Sequence, residues 1–166
     1  MTRRLLAVAV FTAVIATSAA AAFAQPTAFL VRHAERADTG TAAAKMTGAD
    51  PDLSAAGEVR AETLAKMLKD ARITAIYTTE YVRTKQTAGP LATMLGVQVT
   101  VVPSKDTAGL IQKVKAATGN VLVVGHSNTV PDVIKALGVA EPVTIAESEF
   151  DNLFIVSRGE LVRLRY

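Results

Sequence analysis

The sequence has no cysteine, no tryptophan and only two histidines, and aromatic residues fill just 5% of its 166 positions. Without a thiol there is no disulfide framework, zinc ribbon, cysteine nucleophile or acylated lipoprotein anchor, so stability has to come from an ordinary apolar core. Scarce aromatics argue against the stacking platforms that hold single-stranded nucleic acid. Half of the residues are hydrophobic and 20% are charged, far from a disordered composition. The length suits one compact domain.

Net charge is +3, but two of the basic residues, Arg3 and Arg4, open a stretch with the form of an export signal. The basic start MTRR is followed by an uncharged apolar run and by Ala22-Phe23-Ala24, a small-x-small cleavage pattern before Gln25. Residues 1–24 are therefore expected to be a signal peptide, 25–166 the mature domain, and the location periplasmic or secreted. Losing Arg3 and Arg4 lowers the formal charge from +3 to +1, which removes the main support for a nucleic-acid partner. The competing reading is a retained anchor, since Leu5 to Ala24 carries no charge, but Thr12, Thr17, Ser18 and many alanines make a poor permanent span. Once the signal is cleaved, no membrane contact is expected. The pair Arg3-Arg4 leaves twin-arginine and general export both open, and oligomeric state is not legible.

The remaining chain alternates short β-branched runs with amphipathic stretches, the pattern of βα units on a largely parallel sheet. Strands are expected at 27–32, 73–79, 97–102 and 120–126, the last apolar enough to be buried on both faces. Helices are expected from Ser54 to about Asp70 with Ser54 as N-cap, from Glu80 to Leu95 with a break or bend at Gly89-Pro90 and a stop at Gly96, over Thr107–Ala117, and over Asn128–Leu137. In the first helix Ala56, Val59, Leu64, Met67 and Leu68 read as the apolar face. FDNLFIVS (150–157) and ELVRLRY (160–166), joined by Arg158-Gly159, read as a terminal strand pair. The expected fold is α/β: a three-layer α/β/α sandwich with a mostly parallel central sheet and an antiparallel C-terminal strand.

Chemistry gathers at one edge of that sheet. Both histidines, His33 and His126, stand at the C-terminal end of a predicted parallel strand, the edge where open α/β sheets bind ligands. A lone histidine is more often structural; two at equivalent strand ends, with none elsewhere, point to a site. Arg32 precedes one of them and Arg83 follows the strand ending near Thr79. Two guanidiniums beside two imidazoles suit a compact anion, above all a phosphoryl group, whose oxygens accept paired hydrogen bonds. Ser127 adds a backbone N–H at a helix start. Neighbouring arginines would keep a histidine neutral, the nucleophilic form.

The strings LVRHAERAD (30–38), LSAAGEVRAETLAKML (53–68), IYTTEYVRTKQTAGPLA (76–92) and VLVVGHSNTVPDVIKALG (121–138) resemble, in order and spacing, the histidine phosphatase superfamily in its phosphoglycerate mutase-like branch. The resemblance implies a metal- and cofactor-independent phosphatase in which His33 becomes a phosphohistidine. By the same resemblance Arg32, Arg83 and His126 hold the phosphoryl oxygens, with the Ser127 backbone. Ala34 departs from it, standing where most of the family has glycine, a place where a methyl group either narrows the pocket or is accommodated on the same backbone shape.

The family's general acid usually comes from the segment after the third strand, where Asp106 is the carboxylate available; Glu80 and Glu35 compete. The bland reading of Asp106 is a helix N-cap, and that of Glu80 a carboxylate in a first helical turn. Few residues separate Arg83 from His126, which leaves little for a lid and suggests an open-pocket phosphatase acting on a small-molecule or protein-borne phosphoryl substrate. The irregular stretch from Ala37 to Asp52 could shape substrate choice, with Lys45 meeting an extra anion. Glu149 and Asp151 read as exposed polar positions. The alternatives are a non-catalytic phosphate-binding module in the same pocket and a phosphoglycerate mutase.

Overall fold

A computed structural model describes residues 26–37 and 50–166. The expected signal peptide and its cleavage site, and Lys45 with most of its loop, lie outside the described residues. Strand β1 (Ala28–Arg32) is followed by α1 (Ala55–Leu68), β2 (Ile73–Thr78), α2 (Val82–Leu95), β3 (Val99–Val101), α3 (Thr107–Ala116), β4 (Asn120–Gly125) and α4 (Thr129–Ala136). A hairpin of β5 (Asn152–Ser157) and β6 (Glu160–Arg165) completes the order. The six strands form one sheet ordered β3-β2-β4-β1-β5-β6.

Strand β4 is central, parallel to both β2 and β1, and its Val121 to Gly125 are all buried. Alternation along the strands divides the core in two. Ala28, Leu30, Val121 and Val123 pack with Leu110 and Val114 of α3 and Val130, Val133 and Ile134 of α4. Phe29, Val31, Leu122 and Val124 pack with Leu64, Ala65 and Leu68 of α1 and Ala88 and Leu91 of α2. Helices thus cover both faces, giving the three layers. Strand β5 runs antiparallel to β1 and β6 antiparallel to β5, so the sheet is mixed. Arg158 and Gly159 both have positive φ, 53° and 79°, the handedness that a two-residue hairpin needs to match strand twist.

Local chemistry fixes the boundaries. Ser54 caps α1 by accepting a hydrogen bond from the Gly57 N–H, and Gly96 ends α2 in the left-handed conformation. Pro90 lies within an uninterrupted α2, after Gly89, whose missing Cβ eases the crowding ahead of a proline. Strand β3 shrinks to three residues because it is a sheet edge with a single neighbour. Helix α2 starts two residues later than expected, leaving Glu80 and Tyr81 outside it.

The apolar face of α1 needs correction. Val59 is 64% and Met67 43% exposed, and Ala56 is exposed too; the buried stripe is Gly57, Ala61, Leu64, Ala65 and Leu68. Size misleads here because α1 lies close to the chain that follows β1: a Cβ on Gly57 would fall 2.3 Å from the Glu35 carbonyl oxygen. Glu149 and Asp151 are not idle either. Glu149 accepts hydrogen bonds from the Ala146 N–H (2.8 Å) and from Arg165 (2.7 Å), and Asp151 pairs with Arg165, pinning the entrance of β5 to β6. Among the described residues no helix is long and apolar enough to cross a membrane.

Candidate active site

The two histidines meet because of strand register. Arg32 pairs with Gly125 at the ends of β1 and β4, and the His33 N–H continues the ladder to the Gly125 carbonyl at 2.9 Å. His33 and His126 therefore leave adjacent parallel strands side by side, with ring centroids 5.4 Å apart. They lie in a cleft of about 360 Å³ lined also by Arg32, Arg36, Arg83, Lys105, Ser127 and Glu147.

His33 is only 4% exposed, and its Nδ1 lies 2.8 Å from the Ala34 carbonyl oxygen. A carbonyl can only accept, so Nδ1 carries the proton and Nε2 is left with its lone pair. Burial, more than the charges of Arg83, His126 and Arg32, pushes the His33 pKa down to about 3, so the ring is neutral at physiological pH. Sequence reasoning credited the arginines; desolvation does most of the work. His126 is likewise lowered to about 4, by burial first and Arg83 second. Its Nε2 meets the Thr79 hydroxyl at 2.9 Å, and its backbone N–H donates to Thr129 Oγ1.

Arg32 is anchored from the opposite side of the cleft. Its Nη1 donates to the carbonyls of Ala146 (2.8 Å) and Glu147 (2.9 Å), its Nη2 to the Glu147 carboxylate (2.7 Å), and the guanidinium lies 4.3 Å over the Phe150 ring. Its Nε is buried with no hydrogen-bond partner. Glu147 also accepts from the Ser127 hydroxyl at 2.7 Å, so one carboxylate bridges two groups expected to hold an anion. Arg83 lies 4.2 Å over the Tyr81 ring and pairs with Asp50 at 3.3 Å.

Helix α2 explains the run from Arg83 to Ala88. Arg83 faces the cleft, Thr84 reaches Thr79, and Gln86 clamps the Leu53 N–H and the Asp52 carboxylate, each at 2.8 Å. Thr87 accepts from the Ala34 N–H at 3.0 Å, fixing the backbone behind His33, and Ala88 is fully buried. The Ala34 methyl joins Leu53 and Ala61 in a small apolar cluster, and Ala34 is not among the cleft-lining residues, so it does not narrow the pocket.

The acid candidates separate clearly. Asp106 caps α3, its carboxylate accepting from the Gly109 N–H at 2.9 Å; neither it nor Glu80 is among the cleft-lining residues, but Glu80 is bonded to Ser104, which is, and is coupled to His126. Glu35 is gripped by Arg60 through Nε and Nη2, at 2.6 to 2.9 Å. Glu80 is exposed ahead of α2 and accepts from the Ser104 N–H (2.7 Å) and hydroxyl (2.8 Å). Burial raises the Glu80 pKa, but these hydrogen bonds and the coupling to His126 outweigh it and hold the group below the usual carboxylate range. Glu147, Asp50 and the hydroxyls of Thr79, Thr84 and Thr87 were missed by sequence reasoning. A signal for the threonines was present, since Thr-Thr at a buried strand end and Thr at i, i+3 in a helix need hydrogen-bond partners.

No curated protein matches the chain. Among solved structures it resembles a protein assigned as the phosphohistidine phosphatase SixA from Agrobacterium tumefaciens, at 20% identity and TM-score 0.61 over 84% of this chain and 96% of that one. It also resembles the protein histidine phosphatase SixA complexed with tungstate, at 18% identity and TM-score 0.61 over 83% and 94%. A third is the mycobacterial glucosyl-3-phosphoglycerate phosphatase complexed with VO3, at 15% identity and TM-score 0.62 over 84% and 97%. At such identities the likeness establishes the fold. Residues 28–104, which carry His33, Arg32 and Arg83, match the family model of the histidine phosphatase superfamily (branch 1). That match takes in 77 of the 166 residues, and over them the chain is similar to the histidine phosphatase superfamily.

Proposed function

We propose that this protein is an exported phosphatase that hydrolyses phosphomonoesters through a phosphohistidine at His33. The match of residues 28–104 to the superfamily's family model, and the likeness to phosphatase structures, support phosphatase-type activity. The observation that carries the finer reading is the Nδ1–H of His33 bonded to the Ala34 carbonyl, which leaves a neutral Nε2 lone pair in a cationic cleft.

In the first step His33 Nε2 attacks phosphorus, an N–P bond forms, the ester P–O bond breaks and the leaving oxygen takes a proton. Arg32, Arg83 and His126 hold the three equatorial oxygens, whose negative charge they stabilise most as the transition state develops. Glu80 serves as acid and base, with Asp106 confined to capping. Ionised in the free protein, Glu80 acquires its proton as a phosphoryl dianion enters beside it, and passes that proton to the leaving oxygen. As a carboxylate it then accepts a proton from water, whose oxygen attacks phosphorus; the N–P bond breaks and phosphate leaves. Such a group contributes about a hundredfold or more.

Turnover of an aryl phosphate by the purified protein tests the reading. Multiple turnovers support it, phosphate binding without turnover makes the chain a binding module, and phosphoryl transfer between positions of phosphoglycerate would make it a mutase. Export requires Gln25 as the first residue of the protein recovered from the cell envelope; an intact Met1 form in the cytoplasm would refute it.

A further inference from the structure

Beside His126 lie two buried hydroxyls with one proton each. Thr84 Oγ1 is 2.8 Å from the Tyr81 carbonyl, 3.1 Å from the Thr79 carbonyl and 3.0 Å from Thr79 Oγ1. Thr79 Oγ1 is in turn 2.9 Å from His126 Nε2. Thr84 is fully buried and Thr79 nearly so. Carbonyl oxygens cannot donate, so the Thr84 proton must lie on one of them; otherwise two oxygens would face its lone pairs at contact distance with nothing between. Thr84 is then an acceptor toward Thr79, and the Thr79 proton occupies that link. Thr79 is left with only lone pairs for His126, and Nε2 must be the donor. The other ring nitrogen, Nδ1, has no hydrogen-bond partner among the described residues, and His126 lines the cleft.

We infer that Thr79 and Thr84 are positioning residues that hold His126 as its Nε2–H tautomer, so that its cleft nitrogen can grip a tetrahedral dianion only after taking up a proton. A bare Nδ1 facing anionic oxygens is repulsive; with a proton it becomes a charge-assisted donor while Nε2–H keeps its bond to Thr79. The groups acting on His126 from the surrounding elements fit this role. His33 and Arg32 stand at the end of β1, Glu80, Tyr81 and Arg83 between β2 and α2, Asp50 before α1, and Thr129 at the start of α4. Arg36, Lys105 and Glu147 line the same cleft. Burial first and the arginines second keep the imidazole neutral before an anion arrives, and the charge of an arriving dianion opposes both. The linkage to anion binding rests on the phosphoryl-site reading above; the tautomer itself does not.

Two measurements test it. Nitrogen-15 spectra of the ligand-free parent protein should show His126 protonated at Nε2 and bare at Nδ1, and the opposite pattern would overturn the inference without any variant being made. Calorimetry with sulfate, a tetrahedral dianion carrying no proton of its own, in buffers of different ionisation enthalpy then reads proton uptake. The parent and Thr79→Ser should each take up about one more proton per sulfate than Thr79→Val, in which His126 is free to carry its proton on Nδ1. Equal uptake in all three would refute the positioning role. If the parent binds no sulfate or phosphate at all, the phosphoryl site of the proposed function fails, and the spectra still decide the tautomer.

Discussion

Burying two neutral histidines makes stability depend on pH, and the size of that dependence follows from the site. In the unfolded chain each imidazole titrates near 6.5, whereas in the fold His33 is lowered to about 3 and His126 to about 4. Between those values the unfolded state binds more protons than the folded one, so acidification favours unfolding. Both groups are neutral in both states above about pH 7, where they contribute nothing. From pH 7 to pH 5 each should cost about 2 kcal/mol, together about 4 kcal/mol of the roughly 5–15 kcal/mol that holds a domain together. Glu35, Glu80, Glu147 and Glu149 are all held below their ordinary value of 4.5, so their contribution is kept above it and fades only at lower pH, outside this window. Urea unfolding at pH 7, 6 and 5 should show the midpoint falling by roughly 2 M. His33→Asn should remove about half of that fall and a double variant with His126→Asn nearly all of it. A double variant with the parent's pH dependence would refute the claim that these rings are buried and neutral, and with it the nucleophilic state of His33.

Gly57→Ala should destabilise the fold by about 1–3 kcal/mol, since its Cβ would meet the Glu35 carbonyl oxygen at 2.3 Å; an unchanged urea midpoint would mean α1 does not approach that closely. Glu80→Gln should slow hydrolysis of alkyl phosphates far more than of aryl phosphates, whose leaving groups depart unprotonated, while Asp106→Asn should only lower stability, by about 1 kcal/mol or less as a weakened cap; equal losses on both substrates would remove Glu80 from proton transfer. Glu147→Gln should tighten inhibition by vanadate up to about fivefold. The carboxylate is 81% exposed and competes for Arg32, which three backbone carbonyls and Phe150 still hold in place, so the ion pair is worth about 1 kcal/mol or less. Weaker inhibition would mean that Glu147 orients Arg32 instead of competing for it.

What was legible in the sequence divides along a physical line. Strand and helix order, the hairpin at Arg158-Gly159 and the placement of His33, His126, Arg32 and Arg83 at one sheet edge all follow from local periodicity and from where strands end. That β1 and β4 are neighbours does not, because they lie far apart in sequence and are joined only by the order of the sheet, and this adjacency is what brings the two rings together. Glu147 was invisible for a related reason: it stands in irregular chain ahead of β5 and acquires its role only because Arg32 reaches across to it. The face of α1 was misread because size and hydrophobicity favoured Val59 and Met67, whereas the close approach of the backbone at Glu35 selected Gly57, Ala61 and Ala65. Asp106 was drawn toward catalysis by its segment, yet it begins a helix, and an aspartate there is more useful to the orphan N–H groups of the first turn.

The central claim is that His33 Nε2 carries the phosphoryl group. It is tested most directly by quenching the protein in alkali during turnover of a labelled phosphomonoester and locating the label by mass spectrometry. An acid-labile, alkali-stable phosphoryl group on His33, absent from His33→Ala, is the predicted result. Sustained turnover with no protein-bound label, or a label that persists in His33→Ala, would contradict it.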